Sequence, residues 1–310
     1  MDEATEDLDP SASWNRLAER VGRQSWPQGT LYVVATPIGN LGDLGLRAWQ
    51  ALSLCDVIAA EDTRTSRALL DAWGVRTPLI AAHRHNEAGA AEAIVARLRC
   101  GERVALISDA GAPAVSDPGA RIVRAVRDAG LGVQAIPGPS AVVAALMASG
   151  ATSDENPAFL FAGFPPARSG LRQKWLKRWC AVPAPVVLFE SPHKLSATLA
   201  DLLAVCGAAR RLTIARELTK RFEQVATLAL GDAAEWLAAD PHRGQGEFVL
   251  IVHEAVDAGD EAEAEAATGR WLDALLESVS VRDAARIAAR ATGQSRDVLY
   301  AQALARRKPA

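Results

Sequence analysis

The chain of 310 residues lacks the features that mark several common protein classes. Its four cysteines are scattered, with no CxxC pair and no flanking histidine, which argues against disulfides and against a zinc site. The N-terminus carries no basic or apolar segment of the signal-peptide type. The longest uncharged run, 129–153, contains four glycines and two prolines. Only about a dozen of its residues can be helical, against the roughly 20 that a membrane span needs. These absences predict a cytoplasmic protein without a membrane segment or a metal.

Nucleotide-phosphate signatures are missing as well. The loop TPIGNLGDLG at 36–45 matches neither GxxxxGK[ST] nor GxGxxG, and its glycines, spaced by three, fit no phosphate cradle. This disfavours a nicotinamide-dependent dehydrogenase. On composition the loop fits a plain turn, but its position after the first apolar run favours a ligand-binding role.

The net charge of −3 is unevenly distributed along the chain. Residues 1–10 hold five acids and residues 254–268 hold six, with no base in either segment. The other two segments, 11–253 and 269–310, each carry a net charge of +4. Because the parts expected to fold are mildly basic, an RNA partner is compatible with the composition.

Apolar runs alternate with helical patterns, which predicts an α/β fold. From 30 to 151, five apolar runs end in polar loops and are connected by crossovers of 10–20 residues, as in a mainly parallel sheet covered on both faces. Residues 156–254 form a second α/β domain with five more strand candidates. Two of them, 212–218 and 224–230, predict a hairpin, so we expect a mixed sheet there.

Three further segments lie outside these domains. Residues 1–29 are acidic and interrupted by prolines, and they predict a disordered extension with one short helix. Residues 255–268 predict a flexible acidic linker. Residues 269–310 contain three helical patterns and predict a small helical C-terminal domain. Ser280 and Ser295 are its N-cap candidates.

The most informative segment runs from Val104 to Gly119 and consists of a strand, a loop stiffened by prolines and a helix. Such a loop presents its backbone and its carboxylates to a ligand at the carboxyl end of the strand. Asp109 and Asp117 would repel a phosphate. A ligand with hydroxyl groups, amines or a positive charge therefore fits better.

Charged residues also follow the second predicted strand. Glu61, Asp62 and Arg64 form either a paired surface cluster or a set that faces the same cleft as Asp109. In the second interpretation, Glu61 or Asp62 orients or deprotonates a hydroxyl group.

The segment HRHNE at 83–87 follows the third predicted strand. A metal site would need His83 and His85 to meet one ion, and further ligands are lacking nearby. Contact with RNA or substrate is the favoured interpretation.

Ser140 follows a rigid Pro-Gly-Pro turn and begins a helical pattern. It is predicted to cap the helix. A hydroxyl group and free amides at a helix start also offer donors to a ligand carboxylate, and the two roles are compatible.

Two basic groups point to RNA. Lys220 and Arg221 lie in a charged segment that is either a solvated turn or a phosphate contact, and Arg216 there could close over a cofactor. Near the C-terminus, Arg282, Arg286 and Arg290 form one stripe at helical spacing. The helical patterns on either side of Gly293 resemble a helix-turn-helix unit, which favours nucleic-acid docking.

Taken together, eight motifs in order resemble one family. It is the ribosomal RNA small-subunit methyltransferase I group within the tetrapyrrole methylase superfamily, and the resemblance extends from about residue 30 to the C-terminus. One departure is Ala112, where the family more often has threonine. The motifs are TPIGNLGD (36–43), AAEDTR (59–64), SDAGAPAVSDPG (108–119), PGPSA (137–141), FAGFPP (161–166), FESPHK (189–194), ARELTKRFE (215–223) and GEFVLIV (246–252).

The resemblance implies S-adenosylmethionine-dependent methylation of a cytidine ribose 2′-hydroxyl in the decoding centre of 16S rRNA. It also implies a homodimer and two α/β domains with the cofactor in the cleft between them. Carried onto this chain, the cofactor contacts would be Pro37, Gly39, Ser108, Asp109, Ala110, Gly111, Pro113, Ser140, Ala141, Phe161, Arg216 and Glu247.

The residue chemistry agrees with a sulfonium cofactor, because an acidic loop tolerates its positive charge. A base near the weakly acidic ribose hydroxyl would help, and its candidates are Glu61, Asp62 and Lys220. Arg64, Arg221 and the C-terminal arginine stripe are the RNA-binding candidates. Two alternatives stay open: a tetrapyrrole methylase of the same fold, and a non-catalytic ribosome-assembly factor that binds RNA.

Overall fold

A computed structural model describes residues 10–83, 86–255, 258–292 and 294–306. Two compact units meet in sequence between Glu254 and Ala255. The first unit contains two β-sheets, and the second is helical. This is the α/β architecture with a helical C-terminal part that the residue patterns predict.

The first sheet is wholly parallel, as expected. Its strand order is β3-β2-β4-β1-β5, so the first strand in sequence lies near the middle. The carboxyl ends of all five strands therefore meet at one edge of the sheet. The strands are β1 (Thr30–Val34), β2 (Val57–Ala60), β3 (Leu79–Ala81), β4 (Val104–Ile107) and β5 (Gly132–Ile136).

Helices cover both faces of this sheet because its central strands are apolar on both sides. Tyr32 and Ile107 point to one core, and Leu31 and Leu106 point to the other, as alternation along a strand requires. The first core is closed by α2 (Leu46–Leu54) and α3 (Thr63–Ala72), and the second by α4 (Glu87–Arg99) and α5 (Ala120–Asp128).

The second sheet is mixed, with strand order β6-β7-β10-β8-β9. Strands β6 and β7 are parallel and the other pairs are antiparallel, and the predicted hairpin is formed by β8 and β9. The strands are β6 (Leu160–Gly163), β7 (Val186–Glu190), β8 (Arg211–Arg216), β9 (Gln224–Ala229) and β10 (Phe248–Val252).

Helix α6 (Ala141–Ser149) covers one face of the second sheet, although we expected it to belong to a first domain ending at 151. Its Val142 and Ala145 pack against Ala215 and Val249. The helix is apolar on all sides, so its sequence contains no stripe that would indicate the sheet on which it packs. The opposite face is covered by α7 (Ser169–Trp179), α8 (Pro192–Cys206) and α9 (Ala233–Ala238).

No helix in the described ranges is both long and apolar enough to cross a membrane. The uncharged run 129–153 contributes only the nine-residue α6.

The extension predicted over 1–29 contains the one short helix that we expect there, but after that helix the chain packs on the first core and is not disordered. Residues 1–9 lie outside the described residues. Helix α1 spans Pro10–Gly22. Beyond it, Trp26 is buried, its ring centroid lies 5.5 Å from that of Tyr32, and its indole N–H donates to the Val21 carbonyl. The buried ring, with its N–H satisfied, packs this segment on the first core, and Arg103 and Tyr32 donate to the Trp26 and Pro27 carbonyls.

The second unit consists of α10 (Ala258–Leu276), α11 (Val281–Thr292) and α12 (Arg296–Arg306). The predicted flexible linker over 255–268 is therefore helical from Ala258, since alanine and glutamate are strong helix formers. Leu272 and Leu299 pack with the small residues of α11. The predicted cap at Ser280 is present, because its hydroxyl oxygen accepts from the Asp283 N–H at 3.2 Å. Gly293 lies outside the described residues.

Candidate active site

The loops that follow β1 and β4 are joined at the carboxyl edge of the first sheet. Thr36 and Gly111 exchange two backbone hydrogen bonds, at 2.9 and 3.0 Å. The Thr36 hydroxyl also donates to the Ser108 carbonyl at 3.3 Å. The two motifs that lie 72 residues apart in the sequence thus form one rigid wall.

The loop 108–119 has an unusual backbone. Gly111 and Gly119 have positive φ, as glycine allows, but so do Ala114 (φ 66°) and Ser116 (φ 69°). A left-handed conformation costs a residue with a side chain on the order of 1–3 kcal/mol and is found mostly where function requires it. At Gly119, a Cβ would stand 3.0 Å from the side chain of Leu106.

A cavity of about 390 Å³ lies against this loop. One wall comes from Ile38, from loop residues between Ala110 and Asp117, and from 140–142 at the start of α6. The facing wall comes from Phe164, 189–192, Leu218, Lys220 and 247–249. Both sheets of the first unit therefore contribute to one site.

Aromatic rings form the apolar part of the facing wall. The ring centroid of Phe189 lies 4.8 Å from that of Phe161 and 5.4 Å from that of Phe164, in tilted and edge-on arrangements. Phe164 and Phe189 line the cavity, and Phe161 supports them from behind.

A buried carboxylate stands next to these rings. Glu190 is 4% exposed and accepts from the Ser191 N–H at 2.7 Å and from the Thr198 hydroxyl at 2.6 Å. It brings negative charge to the wall in a fixed orientation. Its hydrogen bonds supply part of the compensation that a buried carboxylate needs.

Lys220 lies at the cavity between two acids. Its ammonium donates to Glu217 at 2.9 Å and to Glu247 at 2.7 Å. Burial alone would lower the pKa of Lys220, but the hydrogen bonds that it donates to Glu247 and Glu217 outweigh burial and raise that pKa. Burial would likewise raise the pKa of Glu217, yet the hydrogen bond from Lys220 and one from the Glu247 N–H hold it below its ordinary value. We call these three residues the Lys220 clamp.

The turn that carries the clamp is strained, since Glu217 (φ 52°) and Thr219 (φ 65°) both adopt the left-handed conformation. Arg216 holds this turn in place with two hydrogen bonds to backbone carbonyls. It is 8% exposed and donates to the carbonyls of Gln245 and Phe222 at 2.6 and 3.1 Å.

The stem of Lys220 crosses directly over Gly39 in the β1 loop. A Cβ at Gly39 would stand 2.4 Å from the Lys220 Cγ, closer than any real contact allows. The backbone of Gly39 is not in the left-handed region, so glycine is needed there for space alone.

We expect Gly39→Ala to displace the Lys220 stem and to lower kcat/KM on the order of ten- to a hundredfold, because a misplacement of about 1 Å has effects of that size. Steady-state kinetics measures the loss. Gly45→Ala is the matched control, since a Cβ at Gly45 meets nothing within 4 Å. Equal activities of the two variants would contradict the role of Gly39.

Asp62 lies at the end of β2 and caps α3. Its carboxylate accepts from the Arg64 N–H at 2.8 Å and from the Arg64 guanidinium, and its own N–H donates to Asp109. The side-chain hydrogen bond from Arg64, followed by the backbone one, lowers the pKa of Asp62 to about 2. A carboxylate so firmly ionised is a poor proton acceptor near neutral pH. Glu61 lies beside it, partly exposed.

Asp117 is the half-buried acid of the first wall. Burial, and then the charge of Asp109, raise the pKa of Asp117, while a hydrogen bond with Ser108 opposes the rise. A cation bound in the cavity would relieve this repulsion.

Comparison with known proteins identifies the family. Residues 30–234 match the family model described as Tetrapyrrole (Corrin/Porphyrin) Methylases, and 261–307 match the RsmI C-terminal HTH domain. A ribosomal RNA small subunit methyltransferase I from Neisseria meningitidis serogroup A is 45% identical over 89% of this chain and 93% of its own length. The one from Pseudomonas aeruginosa is 43% identical, with coverages of 90% and 98%.

The chain belongs to the ribosomal RNA small subunit methyltransferase I family. Solved structures agree on the fold. A diphthine synthase superposes with a TM-score of 0.58 at 16% identity, over 76% of this chain and 93% of its own. A uroporphyrin-III C-methyltransferase from Thermus thermophilus, complexed with S-adenyl homocysteine, superposes with a TM-score of 0.50 at 16% identity. The superposition covers 72% of this chain and 97% of that protein's chain.

Five of the twelve cofactor residues that the family resemblance implies line the cavity together with Lys220. These are Ala110, Gly111, Ser140, Ala141 and Glu247, together with Asp117 from the same acidic loop. Ser140 occupies the N-cap position of α6 but makes no side-chain capping bond, contrary to the predicted side-chain cap.

The other seven implied cofactor residues are absent from the cavity lining and contact the segments that form it. Pro37 and Pro113 are buried, and the buried Ser108 donates its hydroxyl to the Ala110 carbonyl. Asp109 holds the end of β2, Gly39 accommodates Lys220, Phe161 supports Phe189, and Arg216 secures the turn.

Several lining residues were missed in the sequence. Phe164 and the segment Phe189–Pro192 lie within motifs that carried the family resemblance, so the signal existed, but it assigned them no role. Leu218 and Phe248 also lie within such motifs, but an apolar residue near a strand end cannot be told from a core residue by its type alone.

The RNA-binding candidates belong to three segments, namely α3, the β8–β9 turn and α11. Arg64 begins α3, and Arg221 is exposed on the β8–β9 turn, with its guanidinium 5.5 Å from the centroid of the Phe222 ring. Arg282, Arg286 and Arg290 are all exposed on one face of α11, as predicted, and Arg286 pairs with Asp283 at 3.1 Å.

The histidine segment after β3 is only partly described. Arg84 and His85 lie outside the described residues, so their predicted contact with RNA or substrate stays a prediction. In the part of the chain that the structure describes, no group of three His, Cys, Asp or Glu residues is arranged to hold a metal ion.

Proposed function

We propose that this protein transfers a methyl group from S-adenosylmethionine to the ribose 2′-hydroxyl of a cytidine in the decoding centre of 16S rRNA. It does so in the cytoplasm and as a homodimer. The observation that carries the proposal is the cavity between the two sheets, which joins the acidic loop 108–119 to the Lys220 clamp.

The cavity fits the cofactor in size and in charge. Its volume of about 390 Å³ lies in the range of small-molecule sites, roughly 300–1,000 Å³. Apolar rings offer a wall for an adenosine moiety, and Ser140 offers a hydroxyl group beside the helix start. Asp117 and Glu190 supply negative charge, which a sulfonium group requires and a phosphate would oppose.

S-adenosylmethionine supplies an electrophilic methyl group, and the transfer is an in-line displacement. Most of the acceleration then comes from holding the hydroxyl oxygen and the methyl carbon within ~3–3.5 Å. The joined loops of β1 and β4 and the aromatic wall give this chain a rigid frame for that alignment.

The three candidate bases differ in their readiness to accept a proton. Asp62 has a pKa of about 2 and caps a helix, and Lys220 is held as an ammonium by two acids. We therefore assign both a positioning role. Lys220 keeps Glu217 and Glu247 in place at the cavity and presents a positive charge there.

RNA recognition is assigned to the exposed arginines of α11 and to Arg64 and Arg221. Guanidinium groups are suited to phosphate, and the helix-turn-helix family match over 261–307 supports nucleic-acid docking by this unit.

Mass-spectrometric mapping of 16S rRNA tests the proposal. In a strain that lacks this gene we expect one cytidine ribose methylation to disappear, wild-type protein to restore it, and Asp109→Ala to restore it poorly. The last result is expected because Asp109 joins the ends of β2 and β4. Unchanged ribose methylation in the deletion strain would exclude the proposed activity.

Calorimetry with S-adenosylmethionine separates the alternatives. A non-catalytic assembly factor would bind rRNA without affinity for the cofactor. A tetrapyrrole methylase would bind the cofactor, and its substrate affinity would be unchanged when Arg282, Arg286 and Arg290 are replaced by glutamine.

A further inference from the structure

Helix α7 carries a basic surface to which no role has been given so far. No Asp or Glu occurs between Glu155 and Glu190, a segment that includes all of α7. Arg168, at the N-cap, and Lys174, Lys177 and Arg178 are all exposed. We call these four residues the basic face of α7. Among the described residues none of the four takes part in an ion pair.

Basic residues without an acidic partner distinguish α7 from an ordinary solvated helix face. On α3, for comparison, Arg67 pairs with Asp71, and on α11 Arg286 pairs with Asp283. The basic face of α7 has no such internal partner, so its positive potential is left for an external anion.

The basic face is also held rigidly. Arg172 on the opposite side of α7 forms a buried ion pair with Asp201 of α8 at 2.6 Å, and Leu176 is fully buried. The guanidinium of Arg178 lies 4.6 Å from the centroid of the Trp179 ring, which orients it at the surface. Fixed cations lose less entropy on binding than mobile ones.

The position of the helix connects it to the cavity. Phe164 lines the cavity, and Arg168 follows four residues later, so the two Cα atoms are at most about 14 Å apart. Pro192 also lines the cavity, and exposed His193 and Lys194 follow it directly. The cationic surface thus begins beside the site and extends along α7.

An anionic membrane is the competing partner for a basic helix. Interfacial helices bury an apolar face at the boundary between the lipid headgroups and the acyl chains. On α7 that face is already used: Leu176 is buried and Trp175 and Trp179 pack against the second core. Only Leu171 is an exposed large apolar residue on this helix.

We propose that the basic face of α7 binds the phosphate backbone of the RNA substrate and guides it toward the cavity, as a second docking surface separate from α11. This inference rests on the proposed rRNA substrate. Backbone contacts of this kind set the position of the RNA and carry no base specificity.

The chain is well suited to a direct test because it has only five lysines: Lys174, Lys177, Lys194, Lys220 and Lys308. Brief acetylation of the full chain, with and without small ribosomal subunits from the deletion strain, followed by peptide mass spectrometry, reads each lysine separately. We expect subunits to slow acetylation of Lys174 and Lys177. Equal rates with and without subunits would overturn the proposal.

Binding of the variant Lys174→Gln/Lys177→Gln to the same subunits gives the second measurement. The loss of two phosphate contacts makes the slope of log K against log[salt] shallower by about 1.4–1.8. It weakens binding roughly 10- to 30-fold at 0.15 M salt. The affinity for S-adenosylmethionine is expected to be unchanged. Arg124→Gln/Arg127→Gln on α5 is the control, with two exposed cations at the same spacing.

The outcomes separate the two levels of inference. If the wild-type protein does not bind the subunits at all, the proposed function fails and the α7 surface fails with it. If the wild type binds and the α7 variant keeps its salt dependence, or if the α5 control loses as much affinity, only the α7 surface is refuted. If the α7 variant loses affinity for anionic vesicles but keeps its affinity for the subunits, the surface is assigned to membranes instead.

Discussion

Replacing Arg172 by alanine lowers the free energy of unfolding by about 3–5 kcal/mol. The Arg172 and Asp201 side chains are 4% and 9% exposed, and their charged atoms lie 2.6 Å apart. Removing the guanidinium leaves a buried carboxylate with only Ser169 and Gln173 as donors. Urea denaturation at pH 7 measures the loss.

The same variant should be more sensitive to acid. Burial raises the pKa of Asp201, but hydrogen bonds from Gln173, Ser169 and Arg172 together hold it below its ordinary value. A depressed folded pKa stabilises the fold above the unfolded pKa of about 3.9, and this contribution is lost as the pH falls through the folded value. Without Arg172 the folded pKa rises, so unfolding on acidification begins at a higher pH.

The exposed pair of Arg76 and Asp71, with side chains 83% and 47% exposed, provides the control. We expect Arg76→Ala to change stability by no more than about 1 kcal/mol, because exposed ion pairs contribute little. If Arg172→Ala and Arg76→Ala cost the same, burial does not determine the strength of the Arg172 pair.

The secondary structure and the acidic loop could be predicted because their signals are local. Gly111, Pro113 and Gly119 interrupt the chain directly after a buried strand, and such residues specify a turn regardless of what packs on it. The hairpin of β8 and β9 also has a local signal, because its two apolar runs are separated by only the five residues 219–223. The packing side of α6 was not, since a helix apolar on all faces contains no directional pattern.

The arrangement of the site depends on contacts between distant residues, and sequence reasoning could reach it only through motifs. Lys220 and Gly39 are 181 positions apart by their residue numbers, and nothing local to either predicts that one crosses the other. Glu190 has no assigned role in the sequence analysis, because a carboxylate at the end of a strand looks exposed until Thr198, in the second turn of α8, is seen to donate to it. Such pairs are apparent only once the positions of the two sheets in space are known.

The second large effect is expected for Lys220→Met, which should lower kcat/KM for methyl transfer about 10²–10³-fold, the loss seen when one fixed electrostatic group is removed from a site. Without the ammonium, Glu217 and Glu247 repel each other, and the pKa of Glu217, which Lys220 keeps low, rises. Single-turnover methylation of subunits from the deletion strain measures the effect. Lys220→Arg, which keeps the charge, should retain more activity.

A double variant shows whether the clamp works as a unit. In Lys220→Met/Glu247→Gln one of the two unbalanced charges is removed, so we expect part of the kcat/KM lost in Lys220→Met to return and the two changes to be non-additive. Gly39→Ala should add little to Lys220→Met, because its only predicted effect is to displace the Lys220 stem. Additive losses in both combinations would show that the three positions act separately.

The pH dependence of the wild-type protein decides between a lysine cation and a lysine base. A base must lose its proton to act, so its pKa would appear as a rise in activity with pH. The two acids raise the pKa of Lys220 above its usual value of 10.5, and we therefore expect no lysine ionisation in kcat/KM below pH about 10. A rise in activity near pH 8 that disappears in Lys220→Arg would instead make Lys220 the base and would contradict the positioning role.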